Sequence, residues 1–439
     1  MDYVINDTLM TSIADAIRDR SETTAPIEAS DMPDLIRGID YKKIYGFHLD
    51  STEDDPDACI TYLADAIGRT PAYMDFTNDT WNWGGWEEVF FIPKPCMVKY
   101  DGTVDYYLDS SDYTKKIDGT ASDVADTTYG GNAMMEFPKI WMKIVPDTDP
   151  TSASIYFANY KADKGYTCFP YIDADGNEID KMYVSIYNGS NVDGTLRSIS
   201  GLAPEQSKTT TQQISEANAN NRNGKTEWNI GLFSDRLLIN FLTVLITKSL
   251  NCKGKIGKGI QSDSQTVVNN YRSGTLNNKG LFYGKSSDTT TAVKVFGIEN
   301  WYALQWDRTL GLIDVSGRQM VKLCYGQSDG STTDSYNQNG SNYIDTKSSS
   351  IFSSSTSGWL KFMTFSDKGY AIASTDSGAE SKRYCSYIYE NPTITTLALF
   401  GGASYYGSRV SLFFCLLSSG ASATSWSIGA SLSLKPLAG

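Results

Sequence analysis

The chain has 439 residues, 40% of them hydrophobic and only 20% charged, with 37 Gly and 28 Tyr; that length allows two or three structural units around a sizeable core. The formal charge of −13, with no Lys/Arg-rich run, argues against nucleic acid as a partner, because an acidic surface repels phosphate. No apolar run is long enough for membrane insertion.

In chain order, the first forty residues read as helical. Leu9, Ile13, Ala16 and Ile17 recur at helical spacing behind a cap at Asn6 or Asp7, and Ser30-Asp31-Met32-Pro33 opens a second short helix before Leu35 and Ile36. The start, MDYVINDTLM, has acids where a signal peptide needs basic residues, so cytoplasmic synthesis without a signal peptide is expected. From Tyr41 onward the chain reads as β-rich. Strands are expected at 89–92, 97–100, 104–108 and 141–145, with turns at Asp101-Gly102 and Asp118-Gly119. The stretch 173–180 is a hairpin turn and not a calcium loop, because Tyr171 and Met182 stand where carboxylates are needed.

A helix is expected over 234–249, where Leu237, Leu238, Phe241, Leu242, Leu245 and Ile246 form a broad apolar face. The polar stretch 324–358 reads as a long solvated loop. Trp426, Ile428, Ala430, Leu432 and Leu434 alternate with small polar residues, the pattern of a final strand.

Enzyme chemistry finds little support. The lone histidine, His48, has no motif around it and reads as a satisfied or surface residue. The acidic run Glu53, Asp54, Asp55 and Asp57 reads as a solvated loop. Neither Gly254–Gly259 nor Gly284-Lys285-Ser286 has phosphate-loop spacing. The cysteines at 59, 96, 168, 252, 324, 385 and 415 stand singly, as reduced thiols and not as a disulfide framework or zinc site. No catalytic residue, metal or cofactor is expected. What remains is surface chemistry: Tyr405, Tyr406 and Arg409 crowd among Ser, Gly and Ala, residue types that dominate binding hot spots. Leu412, Phe414 and Trp426 are expected in the core, and Tyr405 and Tyr406 in a turn.

Three parts of the chain carry a resemblance. The opening TLMTSIADAIRDRSETTAPIEASDMPDLIRGI is similar to the helical segment that begins many tail proteins of phages infecting Gram-positive hosts. The segments KPCMVKYDGTVDYYL, GGNAMMEFPKIWMKI, YVSIYNGSNVDGTLRSISGLAP and VFGIENWYALQWDRTLGLI resemble the framework of phage and prophage tail adhesins with a C-type-lectin fold, in its formylglycine-generating-enzyme branch. Ala303 and Leu304 stand at that framework's Gly-Asn positions. The enzyme's cysteine pair is missing, so its activity does not carry over.

The C-terminal LFGGASYYGSRVSLFFCLLSSGASATSWSIGASLSLKP resembles a variable region diversified by a retroelement, in which a template is copied with errors at adenines. Gly401, Gly402, Gly407, Ser408, Leu412, Phe413, Leu417, Ala421, Ser422, Ile428, Gly429 and Leu432 match its scaffold. The adenine-rich template codons fall on Ala403, Tyr405, Tyr406, Arg409, Leu416, Ser418, Ser419, Ala423, Ser425 and Ser427. Each of those residue types is reachable from such a codon. Ser404 and Ser431 depart from the Trp and Arg of the pattern.

The resemblance implies an α+β chain: a helical attachment segment over 1–40, a β-rich connecting region over 41–125, and a C-type-lectin-like domain over 126–439 with its variable region at 400–432. It implies a receptor-binding protein of the phage tail, homotrimeric and resident in the virion. Its partners would be a host cell-surface receptor, protein or glycan, and other tail proteins. The alternative is a structural fibre or baseplate protein whose lectin-like domain touches only virion partners.

Overall fold

The helix expected from the Leu/Phe face forms over Phe233–Thr247, and every one of its residues is buried. A helix covered on all sides needs its polar groups satisfied. Asn240 donates to the Leu412 carbonyl at 2.9 Å and accepts from the Trp301 indole at 2.8 Å, while Thr243 and Thr247 bond back to the carbonyls four residues earlier. Lys248 ends the helix in a left-handed conformation, φ 50°.

The computed structural model describes residues 42–225, 227–349, 356–374 and 378–437, together with Thr11, Ala14, Asp15 and Arg18. Those four N-terminal residues are helical. The caps and remaining residues of the two expected N-terminal helices lie outside the described residues. The chain is α+β and mostly β, with 12% helix and 32% strand.

Side chains from three larger sheets reach the buried helix. A four-stranded sheet runs in the order 60–64, 44–49, 153–158, 141–146, and its Phe47 meets Phe241 at 6.1 Å. A seven-stranded sheet runs 228–230, 432–434, 181–185, 131–138, 94–99, 104–109, 112–116. It is tied to the helix start by Asp235, which binds Ser433 at 2.7 Å and Lys435 at 2.6 Å. The third sheet runs 344–349, 318–321, 306–315, 395–400, 415–417, 387–390, 356–359, with Ile428–Gly429 alongside Trp306 and Asp307. Its Phe400 stacks on Phe233 at 6.0 Å. Both of the first two sheets contain strands from either side of residue 125.

Several local expectations need correcting. Residues 89–92 form a turn, with Phe91 fully buried; their apolar content fills the core without any strand pairing. Of the stretch 324–358, residues 350–355 lie outside the described residues, and 324–343 is an internally bonded loop instead of a solvated one. Lys322 is buried and donates to the Gly326 carbonyl, the Ser331 hydroxyl and the Thr333 carbonyl at 2.6–2.8 Å. Asp329 accepts from the backbone of Leu323 and Ser331, and Tyr325 and Tyr336 meet edge to face at 5.0 Å. Its polar residues bond one another, and its end supplies strands at 344–349 and 356–359.

The alternating C-terminal run is also not one half-exposed strand. It splits into Ile428–Gly429 and Leu432–Leu434 in different sheets, and its intervening Ser427, Ser431 and Ser433 are buried as well.

Candidate functional site

A tight chain reversal positions the Tyr405–Arg409 segment. Gly402 has φ 86°, and a Cβ there would fall on the ring of Phe414 and 2.8 Å from Val410. Only glycine meets both requirements. The chain then enters a short 3-10 segment, Ser404–Arg409, broken at Gly407. Backbone bonds fasten it to the 301–306 turn: Ala303 donates to Gly401 at 3.1 Å, and Ser404 to Leu304 at 3.0 Å. Ala303 and Leu304 themselves have φ 69° and 61°. Their backbone is left-handed even though neither is the Gly or Asn that suits it.

On this support lies a continuous strip of half-buried aromatic rings. Trp359 meets Tyr387 at 5.3 Å, Tyr387 meets Tyr389 at 5.3 Å, and Tyr389 meets Tyr406 at 5.3 Å. Tyr406 then meets Tyr405 at 4.3 Å, and Tyr405 meets Trp426 at 5.4 Å. Beneath it, Trp306 and Phe414 touch Tyr406 edge-on at 5.2 Å, both fully buried. Arg409 spans the middle, its guanidinium 4.6 Å from the Tyr387 ring centre and its Nη1 donating to Tyr389 at 2.9 Å. Burial, then the adjacent Tyr405 phenol, pushes the Tyr406 hydroxyl well above the usual phenol value. The Tyr406 ring therefore presents a neutral hydroxyl near neutral pH.

The ten residues singled out in the sequence fall into two groups. Tyr405, Tyr406, Arg409, Ser418, Ser419, Ala423 and Ser425 are partly exposed. Ala403, Leu416 and Ser427 are buried, so they shape the surface from below. Trp426, expected in the core, is half-exposed at the end of the strip; it packs on the edge of the buried cluster that includes Ile260 and Leu304 and meets the Tyr405 ring on its open side.

Trp359, Tyr387 and Tyr389 escaped notice in the sequence. Tyr387 and Tyr389 sit on the 387–390 strand, which runs parallel to 415–417, and Trp359 pairs with Tyr387. The alternation Tyr387-Ile388-Tyr389 was the only local signal of that exposed face.

The neighbouring 421–427 loop rests on residues 207–210. Thr210 donates to the Ala421 carbonyl at 3.0 Å and Ser207 to that of Ser425 at 2.9 Å. Arg308, fully buried, holds both segments. It donates to Gln213, Thr210, the Lys208 carbonyl and the Ala423 carbonyl at 2.5–3.2 Å, and burial lowers its pKa to about 10.

The remaining candidates make local contacts. His48 bonds Asp147 at 3.0 Å. The acidic run makes ion pairs, Asp54 with Lys382 and Asp57 with Lys255. All seven cysteines are free and buried; burial pushes the thiols of Cys59 and Cys385 up to about 12. Among the described residues no cluster of His, Cys, Asp and Glu could hold a metal ion, and no helix is long and apolar enough to cross a membrane. No protein-family model matches the chain, and no curated protein matches it.

Proposed function

We propose that the chain is a receptor-binding adhesin of a phage tail, attaching the virion to a host-surface ligand through a C-type-lectin-type domain with a diversified C-terminal surface. The observation that carries this reading is the aromatic strip crossed by Arg409. Tyr, Trp and Arg bring large contact area with few rotors and a polar tip each. Here they lie on a buried scaffold, so outward substitutions leave the core intact.

Supporting diversification, seven of the ten template-type positions reach solvent around or beside this strip. On this reading the protein is a homotrimer in the virion, held to other tail proteins, and several weak sites act together on one cell surface.

The test is attachment of labelled full-length protein to whole cells of the strain on which the phage grows. The double variant Tyr405→Ala/Arg409→Ala should lose attachment while melting within a few degrees of the wild type. Attachment unchanged in that variant would refute the site. Sequencing the last forty codons across a phage population should show changes concentrated at the ten positions; uniform codons would remove the diversification.

A further inference from the structure

Beside the strip, sharing Ser408 with its turn, opens a separate surface pocket of about 670 Å³. Its size is that of a small-molecule site. Its wall is joined to the turn by backbone, since Ser262 donates to the Ser404 carbonyl at 2.9 Å. Asn251, Gln261, Ser286 and Ser408 place polar side chains in the lining, and Phe76 offers one apolar ring.

Neighbouring lysines are neutralised: Lys255 pairs with Asp57 at 2.7 Å and Lys285 with Asp79 at 2.6 Å. Lys253 and Lys258, which line the pocket, have no such partner recorded among the described residues. The Lys253 ammonium donates instead to the Ser408 carbonyl and lies 5.7 Å from the Trp359 ring centre. Burial opposes its protonation; the Glu380 carboxylate favours it, and the positive charge of Lys258 adds a smaller opposition. One carboxylate, Glu380, shares the lining and accepts from the Ser408 hydroxyl at 2.9 Å. With two lysines and one carboxylate, the lining carries one positive charge more than it balances, an excess that a bound anion would offset.

We propose that this pocket binds one anionic sugar unit, its carboxylate or phosphate between Lys253 and Lys258, its hydroxyls on Asn251, Gln261 and Ser286, and its apolar face on Phe76. The amides and hydroxyls supply the paired donors and acceptors that sugar hydroxyls need. A simple anion would use only the lysines. As the terminal unit of a receptor glycan, the assignment rests on the adhesin reading; as a binding site, it stands on the pocket.

The experiment is titration of the full chain with D-glucuronate, glucose 6-phosphate, D-glucose and inorganic phosphate, followed by ligand-observed NMR. Either sugar acid should bind in the millimolar range, roughly tenfold more tightly than glucose, and weaken as salt rises. The stronger of the two identifies carboxylate or phosphate as the natural group. Lys258 is exposed, so Lys258→Ala should fold normally and weaken the sugar acid about tenfold, with Lys258→Arg restoring most of it.

Equal binding of glucose and glucuronate, no effect of Lys258→Ala, or inorganic phosphate matching both sugar acids would each overturn the proposal. The variant Tyr405→Ala/Arg409→Ala should still bind the sugar acid. If that variant also attaches to cells normally, the adhesin site falls and the pocket stands. If cell attachment requires the tyrosine and arginine but no sugar acid binds, only the pocket assignment falls.

Discussion

Arg409 donates to the phenolic oxygen of Tyr389 at 2.9 Å, joining the turn after Gly402 to a strand twenty positions earlier. The same guanidinium covers the Tyr387 ring, so one side chain sets the spacing between the two halves of the aromatic strip. Both partners are half-exposed, and a contact of this kind contributes modestly, about 0.5–1 kcal/mol. A double-mutant cycle of Arg409→Ala and Tyr389→Phe, read by urea unfolding, should give a coupling of that size. Additive effects would mean that the two groups are apart in solution.

The two glycines flanking the tyrosines separate strain from crowding. Gly407 has φ 57° with no atom within 4 Å of a would-be Cβ, whereas at Gly402 the same methyl meets Phe414 and Val410. Gly407→Ala should therefore cost only backbone strain, about 1–3 kcal/mol, because φ 57° with ψ −128° is a mirror-β conformation that glycine alone adopts freely. Gly402→Ala adds overpacking and should cost about 2–5 kcal/mol in total. Equal losses in the two variants would show that the Phe414 ring yields without cost.

The same distinction explains what could be read from the sequence. The 233–247 helix was legible because its apolar side chains repeat at helical spacing, and its boundaries shift only slightly from the expected 234–249. The aromatic strip was half legible: Tyr405, Tyr406 and Arg409 are adjacent in the chain, but Trp359, Tyr387 and Tyr389 join them only through strand pairing. Composition misled at 324–343, where Lys322 and Asp329 turn solvent-like residues into an internally bonded loop. Periodicity misled at 426–434, because alternation reports one buried face and here both faces are covered. The helix Thr210–Asn218 was missed although Thr209 and Gln212 form a capping box.

Arg308 should govern the 421–427 loop selectively. All four of its recorded hydrogen bonds go to neutral acceptors on the segments that carry that loop. Arg308→Leu removes them and strands Gln213 in the interior, a loss of about 2–4 kcal/mol. Hydrogen exchange should speed up first at Ser207 and Thr210, whose amides bond the loop carbonyls. Protection lost evenly across the molecule would assign Arg308 a global role instead.

A pair of carboxyl groups beneath this segment makes stability depend on pH. The Glu205 side chain is 2% exposed and lies 3.8 Å from Lys208, which also binds Glu216 at 2.6 Å. Burial, then the hydrogen bond and charge of Glu216, raises Glu205 to about 8. Glu216 moves the other way: burial opposes the shift, but hydrogen bonds from Glu205 and Lys208 outweigh it. Because the folded Glu205 holds its proton more tightly than the unfolded one, its contribution is complete below the ordinary carboxyl value of about 4.3 and is lost as pH rises toward 8. Glu216 has the opposite sign and acts only below about pH 4.3, outside that window. Between pH 5 and 8 the wild type should thus lose roughly 1–3 kcal/mol relative to Glu205→Gln, which keeps a neutral donor beside Glu216. Chemical unfolding of both proteins at successive pH values measures this difference. Parallel profiles would mean that Glu205 is ionised in the folded protein, with Lys208 holding its charge.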